Sequence, residues 1–151
     1  MKISDSDIVD VKFGKNVKIV KPVNIYKCII EDNVFIGPFV EIQKGVKIGK
    51  NSKIQSHSFI CELVEIGSKC FISHGVMFIN DKFDKKNGPS KDKSLWKKTI
   101  LGNNISIGSN ATILPVEICS GCVIGAGSVV TKNILIKGVY AGNPAKIIRK
   151  L

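Results

Sequence analysis

A large apolar residue returns every six positions along most of this chain. Counted in sixes from Phe13, the repeating position holds Ile19 and Ile25. After a slip of one residue it holds Ile30, Ile36, Ile42, Ile48, Ile54, Ile60, Ile66, Ile72 and Phe78. An interruption of about twenty residues follows, which is longer than an ordinary loop. The register resumes at Leu101, Ile107 and Ile113, slips once more, and runs through Ile118, Ile124 and Val130. Every one of these positions is apolar, so the period is a property of the fold and not of composition.

Four residues after each anchor comes a smaller inward residue, as at Val34, Val40, Ser52, Ser58, Cys70, Ala111 and Ser128; Lys82 and Glu117 break the series. Glycine often follows the anchor directly, at Gly14, Gly37, Gly49, Gly67, Gly102, Gly108 and Gly125. It suits a corner where the chain turns tightly or two backbones come close. A six-residue period fits no amphipathic helix, whose period is 3.6, and a flat sheet needs no corners at fixed spacing. A coil stacked on itself satisfies both constraints. The expected fold is all-β: a parallel β-helix of about six coils, three hexads to a coil. It carries a long excursion loop near residues 80–99 and a short C-terminal tail, in a single domain spanning residues 1–151.

Composition narrows the function. No stretch approaches the roughly 20 apolar residues of a membrane span, and the start lacks the apolar core of a secretory signal, so a cytoplasmic protein is expected. The five cysteines, Cys28, Cys61, Cys70, Cys119 and Cys122, read as free packing thiols. Cys119 and Cys122 form a C-x-x-C with no second pair to complete a zinc site. A net charge of +11 suits either a solvated lysine surface or phosphorylated ligands.

The repeat, written [LIV]-G-x-x-[VSAC]-x, resembles that of the hexapeptide-repeat acyltransferases over nearly the whole chain. The closing segments Val123-Ile-Gly-Ala-Gly-Ser-Val-Val and Tyr140-Ala-Gly-Asn-Pro-Ala sharpen the likeness. Three further segments, beginning at Asn33, Ile54 and His74, resemble the N-acetyltransferases of nucleotide-linked 3-amino sugars. That resemblance implies a left-handed winding and homotrimers with active sites between subunits. It also implies acetyl-CoA as co-substrate, no metal, and a dTDP- or UDP-linked amino sugar as acceptor for surface glycans.

Stacking hexads eighteen residues apart aligns Lys44, Glu62 and Asn80 at one corner and brings His57 and His74 near another. The family's Phe-x-Asn context, here Phe78-Ile79-Asn80, implies that Asn80 sits at the reacting amine. Lys44, Glu62 and Asp81 are candidate substrate contacts. His74 and His57, the two histidines of the chain, are candidate general bases, and the alternative destination for the proton is the departing CoA thiolate. By the same resemblance Gly125, Ala126, Lys132, Pro144, Lys146 and Arg149 would line the CoA channel. The lysine-rich interruption with Trp96 is expected to help wall that channel. Where the family often has Pro-Arg, Asp81-Lys82 follows here, so no arginine role is assigned.

Three rivals are weaker. A γ-class carbonic anhydrase needs three histidine ligands. A nucleic-acid binder needs lysines interleaved with aromatics on one face. A non-catalytic scaffold would not require the Asn80 and Gly142-Asn143-Pro144-Ala145 motifs. Within the fold, acetyl transfer to a sugar or serine hydroxyl is the main alternative.

Overall fold

A hexad that must also turn a corner leaves room for a strand of only two or three residues. The computed structural model, which describes residues 7–83, 88–89 and 92–151, is built from such strands. Phe35–Ile36, Lys53–Ile54 and Phe71–Ile72 are typical: the second residue is the buried anchor and the first points out. The chain visits three faces in turn, and strands of one face pair in parallel with those one coil away. The three sheets so formed hold seven, six and eight strands.

The register places anchor on anchor. Ile36 pairs with Ile54, Ile54 with Ile72, Ile72 with Ile107 and Ile107 with Ile124. The prism interior is therefore a set of aliphatic ladders, with Ile25, Ile42, Ile54, Ile60 and Ile72 wholly buried. Each contributes roughly 1.5–3 kcal/mol by leaving water. Phe13 is 45% exposed and Ile19 half-buried, since they lie in the first coil, which described residues cover on one side only. Small inward hydroxyls are satisfied: Ser52 Oγ donates to Gly67 O (2.9 Å) and accepts from Cys70 N (3.0 Å).

The helix has about seven turns, not the six expected. Ile8 opens a coil before the counted hexads by pairing with Ile25. Beyond Val130, Ile134 bridges to Ile118 and Tyr140 pairs with Ile124. Ile8 and Ile134 were hidden because short sides separate them from Phe13 and Val130.

The last residues are not a loose tail. Gly138–Gly142 adds to the third face, and Ala145–Lys150 returns antiparallel against it.

Both register slips sit at the corner between the first and second faces. There the side is one residue short, and the inward residues are Cys28 and Val116, both buried. Glu117 is exposed for that reason.

Corners turn through a left-handed residue. At the corner between the second and third faces it is Asn16, Asn33, Asn51 and Asn104, with φ of 55–59°, and in two coils Lys69 (57°) and Gly121 (78°). Asparagine tolerates that region better than other side chains. Gly49 shows the close approach: a Cβ there would lie 2.6 Å from the carbonyl carbon of Gly67 in the next coil.

The excursion leaves after Phe78, and the chain re-enters at Thr99–Leu101, which pairs directly with Val64–Ile66. The coil is thus uninterrupted, and the excursion stands on the corner between the first and second faces. Its described part includes one 3₁₀ turn, Lys93–Leu95, capped by Asp92. Among the described residues no helix is long and apolar enough to cross a membrane.

Candidate active site

The base of the excursion carries a connected polar cluster. Asn80 lies one coil from Glu62, and its Nδ2 donates to Glu62 O across 3.2 Å. Lys97 N donates to Asn80 O (2.8 Å), so the asparagine fixes both the departure and the return of the excursion. Because a carbonyl takes the amide nitrogen, Oδ1 of Asn80 is left as an acceptor. The Glu62 carboxylate receives Lys93 Nζ at 2.7 Å, and the same ammonium lies 4.8 Å from the Trp96 ring centre.

Below Glu62, Gln43 rather than Lys44 continues the ladder. Gln43 Oε1 accepts from Glu62 N (3.2 Å) and its Nε2 donates to Glu41 Oε1 (2.9 Å). Lys44 occupies the expected register position but is exposed, with no partner among the described residues. Tyr26 completes the cluster. Its hydroxyl is pushed up by burial and by the carboxylates of Glu41 and Glu62, so it stays protonated and able to donate. Asp81 turns inward on its own segment, its Oδ1 accepting from Phe83 N at 2.9 Å. Gln43, Glu41 and Tyr26 were not singled out from sequence, and Lys93 only as one of the lysines of the interruption. The outward strand positions beside the anchors at the corner would have pointed to the first three.

The corner between the third and first faces holds the histidines. His74 Nδ1 lies 2.8 Å from Ser56 Oγ, the equivalent residue one coil back, and Asn110 N donates to His74 O (2.9 Å). The imidazole is exposed and held through one nitrogen only, so its Nε2 faces outward. When Nδ1 donates to Ser56, Nε2 bears a lone pair and can accept a proton. His57 is also exposed, in the left-handed corner position (φ 64°), and its ring stacks on Phe39 at 4.8 Å.

Within one chain the two clusters stand at opposite edges of the first face. Five residues separate His57 from Glu62, a span of roughly 16 Å at about 3.3 Å per residue. A reacting centre using both His74 and Asn80 therefore needs groups from two edges of the prism.

Most of the expected CoA contacts gather near the histidine corner. Gly142 N donates to Ser128 Oγ (3.2 Å), which seats the Asn143-Pro144 turn over the last coils. The N–H of Gly125 is already taken by Tyr140 O (2.7 Å), whereas that of exposed Ala126 has no partner among the described residues. Lys146, opposite Ala141, lies near the turn, and Arg149, opposite Val139, lies toward the other edge; both are exposed. Lys132 stands apart, at the excursion corner of the last coil. Lys82 is exposed, while Lys85, Lys86 and Lys91 lie outside the described residues. Among the described residues no three His, Cys, Asp or Glu side chains converge as a metal site.

Comparison with known proteins agrees with this architecture. Residues 27–62 match the model of the bacterial transferase hexapeptide (six repeats), and residues 98–132 that of the hexapeptide repeat of succinyl-transferase. The bifunctional protein GlmU of Thermotoga petrophila is 32% identical over 152 residues, covering 95% of this chain and 34% of that protein. GlmU of Streptococcus uberis is 34% identical over 122 residues, covering 80% of this chain and 24% of that protein. The chain thus spans about a quarter to a third of the length of these curated relatives.

Among solved structures, a mutant of AntD, an N-acyltransferase from Bacillus cereus in complex with dTDP and coenzyme A, is similar with a TM-score of 0.80 and 29% identity. That match covers 92% of this chain and 83% of AntD. Repeat and fold are thus similar to those of the hexapeptide-repeat acyltransferases.

Proposed function

We propose that this protein transfers an acetyl group from acetyl-CoA to the amine of a nucleotide-linked amino sugar, in the cytoplasm, as a step in surface glycan synthesis. The observation that carries the reading is the likeness to AntD along most of both chains, since that N-acyltransferase was captured with dTDP and coenzyme A. A dTDP-linked 3-amino-3,6-dideoxyhexose is the acceptor we favour.

The chemistry maps onto the two clusters. A neutral amine attacks the thioester carbonyl, the tetrahedral oxyanion collapses, and the CoA thiolate leaves. Asn80 Oδ1 and the Glu62 carboxylate offer acceptors that hold the amine and orient its lone pair. Asp81 and Lys44 flank the sugar. His74 takes the amine proton through Nε2, with Ser56 fixing the ring, and His57 is the reserve base. Holding the two reactants in line would supply much of the rate enhancement. Lys132, Lys146 and Arg149 supply cations for CoA phosphates, with Ala126 and Pro144 along the pantetheine arm.

The roughly 16 Å between the clusters in one chain supports a homotrimer, in which the histidine corner of one subunit meets the excursion corner of the next. A closed ring repeats one such interface three times.

The direct test incubates the protein with acetyl-CoA and a dTDP-linked 3-amino sugar and follows the acceptor by mass spectrometry. Gain of one acetyl group, lost again in Asn80→Ala, is the expected result. An unmodified acceptor in the presence of folded protein that binds CoA would overturn the amino-sugar assignment.

A further inference from the structure

The C-x-x-C motif is used by none of the chemistry above, and its geometry is distinctive. Cys119 and Cys122 straddle the corner between the second and third faces in the last full coil. Their sulfurs lie 3.4 Å apart, within a weak S–H···S contact. Cys122 is wholly buried and its thiol also approaches Ile136 O at 3.8 Å. Cys119 is partly exposed, so one thiol of the pair is open to solvent and the other waits behind it. The Lys137 side chain lies over Gly121 between them and brings a positive charge to the corner.

The other three thiols, Cys28, Cys61 and Cys70, are buried, and none has a second sulfur within bonding reach among the described contacts. Solvent access, a resolving partner and a neighbouring cation are the three conditions for a reversible thiol–disulfide site. Only this pair meets them.

We infer that Cys119 and Cys122 form a reversible redox modification site that closes to an intrachain disulfide by exchange with a low-molecular-weight disulfide. The Cys119 thiolate attacks one sulfur of the small disulfide. That S–S bond breaks, a mixed disulfide forms on Cys119, and one small thiolate leaves. The Cys122 thiolate then attacks the Cys119 sulfur, expelling the second small thiol and forming the Cys119–Cys122 bond. Two electrons pass from the pair to the small disulfide, and both thiol protons end on the released thiols.

Closure draws the two sulfurs together from 3.4 Å and withdraws the Cys122 thiol from Ile136 O, at the root of the C-terminal hairpin. The site therefore reports on the segment that carries Lys146 and Arg149.

The test uses the whole protein with oxidised glutathione as probe, read by intact mass and peptide mapping under native conditions. The wild type is expected to lose the mass of two hydrogens, with the loss on the peptide holding both cysteines and reversed by dithiothreitol. Cys122→Ser is expected to stop at the mixed disulfide, carrying one glutathione on Cys119. Cys119→Ser is expected to remain unmodified, because the buried thiol is not reached. The inference is overturned by wild type unchanged at a glutathione disulfide excess that modifies Cys122→Ser, or by wild type that accumulates a stable glutathione adduct on Cys119. Modification falling first on Cys28, Cys61 or Cys70 would overturn it as well.

Discussion

The side-chain amide of Asn80 donates to the main-chain carbonyl of Glu62, one coil away, at 3.2 Å. This bond decides which end of the asparagine faces outward. Its nitrogen is spent on the coil and its oxygen is left for a ligand, which is the orientation needed to accept from an amine. Asn80→Asp places a carboxylate oxygen against the Glu62 carbonyl. It is expected to lower kcat/KM about as much as Asn80→Ala, by roughly 100-fold or about 2.7 kcal/mol. The loss of this one bond should cost about 1 kcal/mol of stability. Kinetics beside a urea melt separate the two effects.

Glu62 binds Lys93 at 2.7 Å, and Lys93 in turn covers Trp96. The lysine is 62% exposed, so the pair adds less than about 1 kcal/mol to global stability. Its role is to seat the returning limb of the excursion. Glu62→Gln is expected to leave the melting temperature within a degree or two while shifting the emission of Trp96, the only tryptophan, to the red. Trypsin should then cut sooner at Lys93 and Lys97.

His74 is held by Ser56 at 2.8 Å. His74→Ala is expected to lower kcat by roughly 100-fold or more, and Ser56→Ala by less. A kcat unchanged by His74→Ala would assign the proton to the CoA thiolate.

Burial pushes the thiols of Cys28 and Cys61 up to about 11 and about 12. A group whose folded value is raised favours the folded state fully below its unfolded value, and the benefit is lost as pH rises through the folded value. Stability should therefore fall by several kcal/mol between about pH 9 and pH 12. Glu65 acts in the opposite direction: the Lys98 hydrogen bond holds its carboxyl low. Its contribution is present above the ordinary carboxylate range and lost as pH falls through the depressed value. Chemical melts across pH, with Cys61→Val and Glu65→Gln flattening the alkaline and acid limbs respectively, check both signs.

Gly49 faces the backbone of Gly67 at a distance no Cβ tolerates. Gly49→Ala is expected to destabilise by roughly 1–3 kcal/mol, since backbone cannot step aside as a flexible side chain can. Gly45→Ala meets no atom within 4 Å, but its φ of 78° makes it costly through strain of about 1 kcal/mol.

The hexad exposed the fold because each strand carries one obligatory inward aliphatic, and no other architecture asks for one every six residues. Counting failed where a side shortened. The inward residue lies two before the next anchor, so Cys28 and Val116 replace the positions found by counting four forward. The corner positions of Glu62, Asn80 and His74 were legible, because the same count fixes them. Gln43 and Tyr26 were hidden because their importance comes from neighbours in other coils, and Ser56 because a hydroxyl gains meaning only beside the ring it holds. Gly125 looked available from sequence, yet its N–H is used by Tyr140 in a hairpin that sequence had left as a tail.

The most direct measurement of the central claim is CoA release from acetyl-CoA, followed with a thiol reagent, across a panel of dTDP- and UDP-linked 3-amino and 4-amino sugars. Turnover confined to one 3-amino sugar, and abolished in Asn80→Ala, is the expected result. Protein that binds CoA and assembles as trimers yet releases none with any member of the panel would contradict it.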